Sequence, residues 1–369
     1  MKKLISLLII LATVLGLTAC NKYKPVQSTE EEERVVMTLT LDGEKYEVKY
    51  ELYRAMFLAY KSLVESGDPS VWSGDKSAEY VAQIQPMIIS RITDIYAALH
   101  HAKQLGINMY TNKIDSQITD FIELSIEGGI YGGETVVGLG SYDAYLESLA
   151  AMGMNYSVSE LIYRYNIAID LITEHYAGRL NEAGTAYEGG ALQYTEEDVR
   201  SFYFGENSVR YMSAFIQSEY ADAQNRANII RMAMQKNEGD DDKVAATIIG
   251  NTISSATDVK NGTLIGRYNL DEENYGDITK EAFSTSTGKV SNVIEIYAGA
   301  AAGFYILYPI EKTEEHFKTS YADIALTYVE NEMGRQLETV QAALTESIGV
   351  TDVFRGLDHS KITYPTVNK

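Results

Sequence analysis

The sequence predicts an α+β protein: a largely helical body with a smaller α/β part placed within it. Three observations carry that prediction. Apolar residues fall at helical spacing through most of residues 50–180 and again at 321–348, strand-like alternation is concentrated at 209–217, 291–296 and 303–310, and glycine-rich stretches at 128–140 and 183–193 punctuate the helical part. At 369 residues the chain is long enough for about two domains, each with its own core.

The first element is MKKLISLLIILATVLGLTAC, two lysines followed by an apolar run, small residues and a cysteine. This is the layout of an export signal, and Leu17-Thr18-Ala19-Cys20 resembles a bacterial lipobox. Residues 1–19 are therefore read as a lipoprotein signal peptide and Cys20 as the site of lipidation. Two acyl chains on Cys20 would give lasting anchoring on the extracytoplasmic face of a cell membrane. Cys20 is the only cysteine, so neither a disulfide nor a thiolate nucleophile is expected in the mature body. Residues 20–34, with Glu30 to Glu33 in a row, read as an acidic tether. The chain carries a net charge of −21, and losing Lys2 and Lys3 with the signal makes it more negative. Such a surface repels nucleic acid and anionic headgroups, and no stretch of the mature body is apolar enough to span a bilayer.

The body opens with VVMTLTLDGEKYEVK, two strands about an Asp42-Gly43 hairpin turn. Leu52, Ala55, Met56, Ala59 and Leu63 then mark a helix stopped by Gly67-Asp68-Pro69. A second helix over about 78–105 carries Ile84, Ile88, Ile92, Ile95 and Leu99 on one face, with Pro86 expected to start or kink it. Helices follow at about 111–126, 141–152 and 157–180. EGGIYGGETVVGLG between the first two lacks the Gly-Lys-Ser/Thr ending of a phosphate cradle and reads as a flexible loop or lid. The adjacent His100 and His101 point about 100° apart on a helix and cannot both ligate one metal. No cofactor or metal is expected.

Beyond the 183–193 linker, Thr195 and Asp198 form the capping-box pattern of a helix over 194–207. A strand at 209–217, helices at 221–237 and 243–251, a turn at Asn261-Gly262, a short helix within 275–283 and strands at 291–296 and 303–310 follow. The last, GFYILYPI, sets Tyr305, Leu307 and Pro309 on one side and Phe304, Ile306 and Tyr308 on the other. A long helix over 321–348 returns to the helical body.

This order, with LDGEKYEVKYELYRAMF, QPMIISRITDIYAALHHAKQLGI, YTEEDVRSFY and the segment KNGTLIGRYNL…ITKEAFSTSTGKVSNVIEI…GFYILYPIEKT at 260–313, resembles the secreted PrsA and SurA foldases. The resemblance spans nearly all the mature chain. It implies a helical chaperone domain of the SurA-N or trigger-factor kind at 35–195 plus 314–369, with a parvulin-like prolyl isomerase domain inserted at 196–313. It also implies unfolded or nascent exported polypeptides as partners, and membrane attachment through the N-terminal lipid. Active parvulins carry a histidine on the first strand and another on the last; the matching positions here are Tyr211 and Tyr305, and no histidine lies between 176 and 315. The third polar position of the family falls near Ser255, or at Asp258. Ile265, Tyr268, Ile278 and Phe283 match apolar pocket positions and, with the two tyrosines, are the expected peptide-binding residues. Isomerisation of an X-Pro bond needs a twisted amide held in an apolar pocket more than it needs acid–base chemistry. The resemblance therefore implies a chaperone with a degenerate isomerase domain, with an active isomerase in which tyrosines replace the histidines as the alternative. A solute-binding lipoprotein is a further alternative, one that repeated βαβ units would support and this strand-poor sequence does not.

Overall fold

In the computed structural model the described residues are 23–65, 68–131, 134–217, 222–252, 256–268, 272–296 and 303–367. In chain order the principal elements are β1 (Val35–Leu41), β2 (Glu44–Lys49), α1 (Tyr50–Tyr60), α2 (Ser77–Gln104), α3 (Asn112–Glu127), β3 (Gly129–Tyr131), β4 (Glu134–Val136), α4 (Tyr142–Ala151) and α5 (Tyr156–Ala177). Then come β5 (Gly178–Leu180), β6 (Tyr187–Gly189), α6 (Glu196–Phe204), β7 (Ser208–Gln217), α7 (Ala223–Gln235), α8 (Asp241–Asn251), β8 (Thr263–Gly266), α9 (Glu272–Ser284), β9 (Val293–Ile296), β10 (Gly303–Pro309), α10 (Tyr321–Glu346) and β11 (Gly349–Val350). The protein is α+β: helices predominate and the sheets are small and antiparallel. It divides into two compact units, residues 173–336 and the remainder on either side. The sequence-expected junctions at 195/196 and 313/314 lie inside the 173–336 unit, beside the capping residues Thr195 and Thr313.

In the first unit β1 is the middle of a three-stranded sheet, order β11-β1-β2. Asp42 and Gly43 both take positive φ, as a two-residue hairpin requires, and no bulkier pair does this as readily. His100 anchors that turn to α2: one ring nitrogen lies 2.8 Å from the Tyr46 hydroxyl and the other 3.1 Å from Asp42 Oδ2. This fits a structural reading of the histidine pair, His101 being engaged separately with Gln104. α2 buries Ile84, Ile88, Ile92 and Ile95, the face expected from their spacing. Pro86 does not start it, because the helix begins nine residues earlier at Ser77.

Two expectations change in this unit. The segment expected as a solvated tether is docked from Tyr23 onward. Tyr23 stacks on Tyr142, Ser28 bonds Glu51, and Glu32 is buried in an ion pair with Arg54 at 2.6 Å. Burial opposes ionisation of Glu32, but hydrogen bonds from Thr29 and Arg54 outweigh it and hold the carboxyl below its ordinary value. The glycine-rich 128–140 stretch, expected as a loop, is a β-hairpin with Ile130 opposite Thr135. Its neck brings backbone against backbone: a Cβ on Gly138 would lie 2.3 Å from the Gly128 nitrogen. Glycine is demanded here by close approach rather than by flexibility.

The second unit is organised by a four-stranded antiparallel sheet, order β8-β7-β10-β9. Alternation divides β7 and β10 between two faces. Met212, Ala214, Ile216, Phe304, Ile306 and Tyr308 pack on α7 and α8 through Ala227, Ile230, Met234, Val244 and Ile248. Tyr211, Tyr305 and Leu307 face the other way, with Ile265, Ile294 and Ile296, against Ile278 and Ala282 of α9. α6 begins with the expected capping box at Thr195 and Asp198 and buries Val199, Phe202 and Tyr203 beside Phe317 and Ile324. Residues 183–193, expected as a linker, contribute β6 to a small hairpin with β5.

Candidate functional site

The α9 face of the four-stranded sheet gathers most of the residues singled out from the sequence. Tyr211 and Tyr305 are both on it, as are Ile265, Ile278 and the half-buried Phe283. Both tyrosines are buried, at 7% and 4% exposure, so they contribute mainly as walls of the face. They do not stand side by side. Tyr211 pairs with Pro309 and Tyr305 with Phe215. Four residues of strand therefore separate the two positions, about 14 Å along an antiparallel strand. The neighbour of Tyr305 is Phe215, whose ring lies 4.6 Å from it, tilted by 30°. The fit is tight: a Cβ on Gly303 would come within 2.6 Å of the Phe215 ring and 2.4 Å of the Ile216 carbonyl oxygen. Gly303 is the residue type this ring packing demands.

Phe215 was not among the expected site residues, although period-2 alternation from Tyr211 through Ser213 puts it on the same face. Val209, Ser213, Phe215 and Gln217 are each only half-buried, so β7 presents a row of partly open side chains beside the closed wall of Tyr305 and Leu307. A second residue absent from the expectation is Arg267, whose guanidinium sits 4.7 Å from the centre of the Phe283 ring. No simple sequence signal marks it, since the contact joins the end of β8 to the last turn of α9.

Other expected residues are placed elsewhere. Tyr268 is held to α10: its N–H donates to Asn331 Oδ1 at 3.0 Å, and Gly334 lets its backbone come close. Asp258 is exposed on a short helix whose next residue, Val259, packs with the α7 and α8 cluster on the opposite side of the sheet. Ser255 and Cys20 lie outside the described residues. Arg210, beside Tyr211, is buried and donates to the carbonyls of Asn261, Lys260 and Glu311, which ties β7 to the turn before β8 and to the chain after β10. Its role there is structural.

Chemically, the strand residues of this face supply aromatic and aliphatic surface and the hydroxyls of Tyr211, Ser213 and Tyr305. None of them is an imidazole, a thiol or a carboxylate. Such a face suits apolar or prolyl side chains stacking on aromatic rings, and its strand residues include no conventional proton-transfer pair. Among the described residues no group of histidine, cysteine and carboxylate side chains is arranged to hold a metal. The first unit has a cleft of about 290 Å³ lined in part by Tyr50, Asn155, Tyr156 and Tyr364, but its buried charges, Glu32 and Arg54, already engage each other.

No family model and no curated protein matches this chain. Solved structures with some likeness include the foldase protein PrsA of Streptococcus pneumoniae, at 14% identity and a TM-score of 0.31 over 84% of this chain and 92% of that one. PrsA from Bacillus subtilis, also at 14% identity, gives a TM-score of 0.23 over 74% of this chain and 86% of that one. The Lactococcus lactis foldase PrsA, at 13% identity, gives 0.25 over 89% and 99%. Overlaps of this extent carry no residue correspondence and no activity from those proteins to this one.

Proposed function

We propose that this protein is a lipid-anchored, extracytoplasmic chaperone of the PrsA and SurA kind. It binds unfolded exported polypeptides, and its parvulin-like part binds peptide without efficient prolyl isomerisation. The observation that carries the reading is the β7 row beside Tyr305: a partly open face whose aromatic centre is the Phe215–Tyr305 pair and whose strand residues include no imidazole, thiol or carboxylate. Aromatic rings with a polar tip make adaptable contacts with many sequences at small entropic cost, which suits a binder of unfolded chains. The lipobox ending at Cys20 supports the location, and no described helix is long and apolar enough to cross a membrane.

The test is NMR exchange spectroscopy on a short Ala-Pro peptide mixed with residues 21–369. The expected result is broadening of the peptide lines with no exchange between cis and trans peaks. Exchange at catalytic protein concentration would replace this reading with that of an active isomerase. Absence of both would remove peptide binding from this face.

A further inference from the structure

The β3–β4 hairpin of the first unit carries apolar side chains outward, and the chain on which the lipid anchor would lie is fixed at its base. Tyr131 and Val136 are half-buried on the inner face, where Tyr131 meets Phe121 edge-on at 5.7 Å and Phe121 stacks on Tyr163. Ile130, Thr135 and Val137 are exposed on the outer face, Ile130 at 74% and Val137 at 87%, and Leu139 follows at 45%. An exported hairpin with a solvated face normally turns polar residues outward. Here residues 128–140 hold one carboxylate, Glu134, and no basic residue. The hairpin is firmly seated, since Leu139 and Gly140 donate to the carbonyls of Ser125 and Ile126 at the end of α3.

Tyr23 fixes the N-terminal segment at the same place. Its hydroxyl donates to Glu127, the residue before the hairpin neck, at 3.0 Å, and its ring stacks on Tyr142 at 5.1 Å, just beyond the hairpin's other end. The Tyr142 hydroxyl closes the arrangement by donating to the Lys24 carbonyl. Cys20 is three residues before Tyr23, a span of at most about 11 Å. A cysteine carrying two acyl chains sits at the bilayer surface, so its short connection keeps the base of the hairpin near that surface.

We infer that the outer face of the β3–β4 hairpin, Ile130, Val137 and Leu139, enters the lipid bilayer beside the acylated Cys20, with Tyr23 and Tyr142 at headgroup level. The occupant of this apolar face is the membrane itself. Few charges and aromatic rings at the interface are what shallow insertion requires, and the hairpin's own length of about 10 Å matches interfacial rather than spanning depth. The inference rests on lipidation of Cys20, as the proposed function does.

The test uses the full chain produced in a bacterium and reconstituted into phosphatidylcholine vesicles with acyl chains brominated at known depths. The only native tryptophan, Trp72, is buried, so Val137→Trp adds a reporter at an exposed position. Mass measurement first establishes whether Cys20 carries a diacylglyceryl group. The expected result is a lipidated chain that floats with the vesicles and whose added emission falls about twofold with shallow bromines, the wild type showing no such loss. A lipidated, floating chain whose Val137→Trp emission is unquenched overturns the membrane role and leaves the anchor standing. A chain with no lipid on Cys20 overturns both. Shielding of the reporter by added unfolded polypeptide in place of lipid overturns the membrane role in favour of a client surface.

Discussion

The two faces of the second unit's sheet are built from the same two strands and differ in what covers them. Toward α7 and α8, alternate residues of β7 and β10 are closed off: Ala214, Ile306 and Tyr308 have no exposed surface. Toward α9 the β10 residues are equally closed, yet β7 keeps Val209, Ser213, Phe215 and Gln217 half-open. One face is a core and the other is a core along β10 that opens along β7. Alternation alone therefore does not decide burial; the number of helices laid across a face does. A face left partly uncovered while retaining a phenylalanine is where the proposed peptide contact would fall.

The largest expected effect tests the closed face. Ile306→Ala removes side-chain carbons from a site packed on both sides and should lower unfolding free energy by about 4 kcal/mol, read from urea denaturation. Peptide affinity per folded molecule should stay the same. If affinity fell along with stability, the two faces would not be separable in function.

Next is Phe215→Ala on the open face. The ring is only partly buried, so the stability cost should be smaller, about 2 kcal/mol. Peptide line broadening, by contrast, should be largely lost. A variant that binds as before would show that the aromatic pair is not the contact.

Much of this arrangement was legible in advance, and the missing part has a physical cause. Period-2 alternation in GFYILYPI correctly divided Tyr305 and Leu307 from Phe304, Ile306 and Tyr308, because side-chain direction is local. The partner of Tyr305 was not legible, because register between strands some ninety residues apart is set by packing and not by either strand alone. Tyr211 and Tyr305 match the two histidine positions of the resemblance, and the register sets Tyr211 opposite Pro309 and Tyr305 opposite Phe215. Gly128 and Gly138 show a related limit: a glycine needed for backbone contact and one needed for flexibility look identical in sequence.

A smaller effect concerns the hydroxyl of Tyr308, which donates to Asp241 Oδ1 at 2.9 Å and accepts from the Gly239 N–H at 3.2 Å. Tyr308→Phe should cost about 1.5 kcal/mol at neutral pH. Burial first, and then Asp241, push the Tyr308 hydroxyl up to about 12 from its ordinary 10.0. With the folded value raised, the associated stability is complete below pH 10 and is lost as pH rises toward about 12. Unfolding measured from pH 9 to 12 should therefore fall less steeply in Tyr308→Phe than in the wild type. Parallel slopes would show that this face does not sense the tyrosine's charge.

The smallest expected effect is the most informative about chemistry. Tyr211→Phe and Tyr305→Phe each remove one hydroxyl from the α9 face and leave the rings that form its walls. Each should change stability by no more than about 1 kcal/mol, the net worth of one hydrogen bond. If the face binds through aromatic surface, peptide affinity should move less than about threefold in either variant, well under the effect of losing the Phe215 ring. If instead the hydroxyls polarise a prolyl amide, the loss would appear in turnover and not in binding, because an interaction made only with the twisted amide leaves the ground state untouched. On the strands the two positions are offset: Tyr211 lies opposite Pro309 and Tyr305 opposite Phe215, four residues apart. Measuring both variants, singly and together, separates the cases. Additive small losses in affinity mean two independent walls, and a shared loss of exchange rate would mean that the register still lets the pair act as one site.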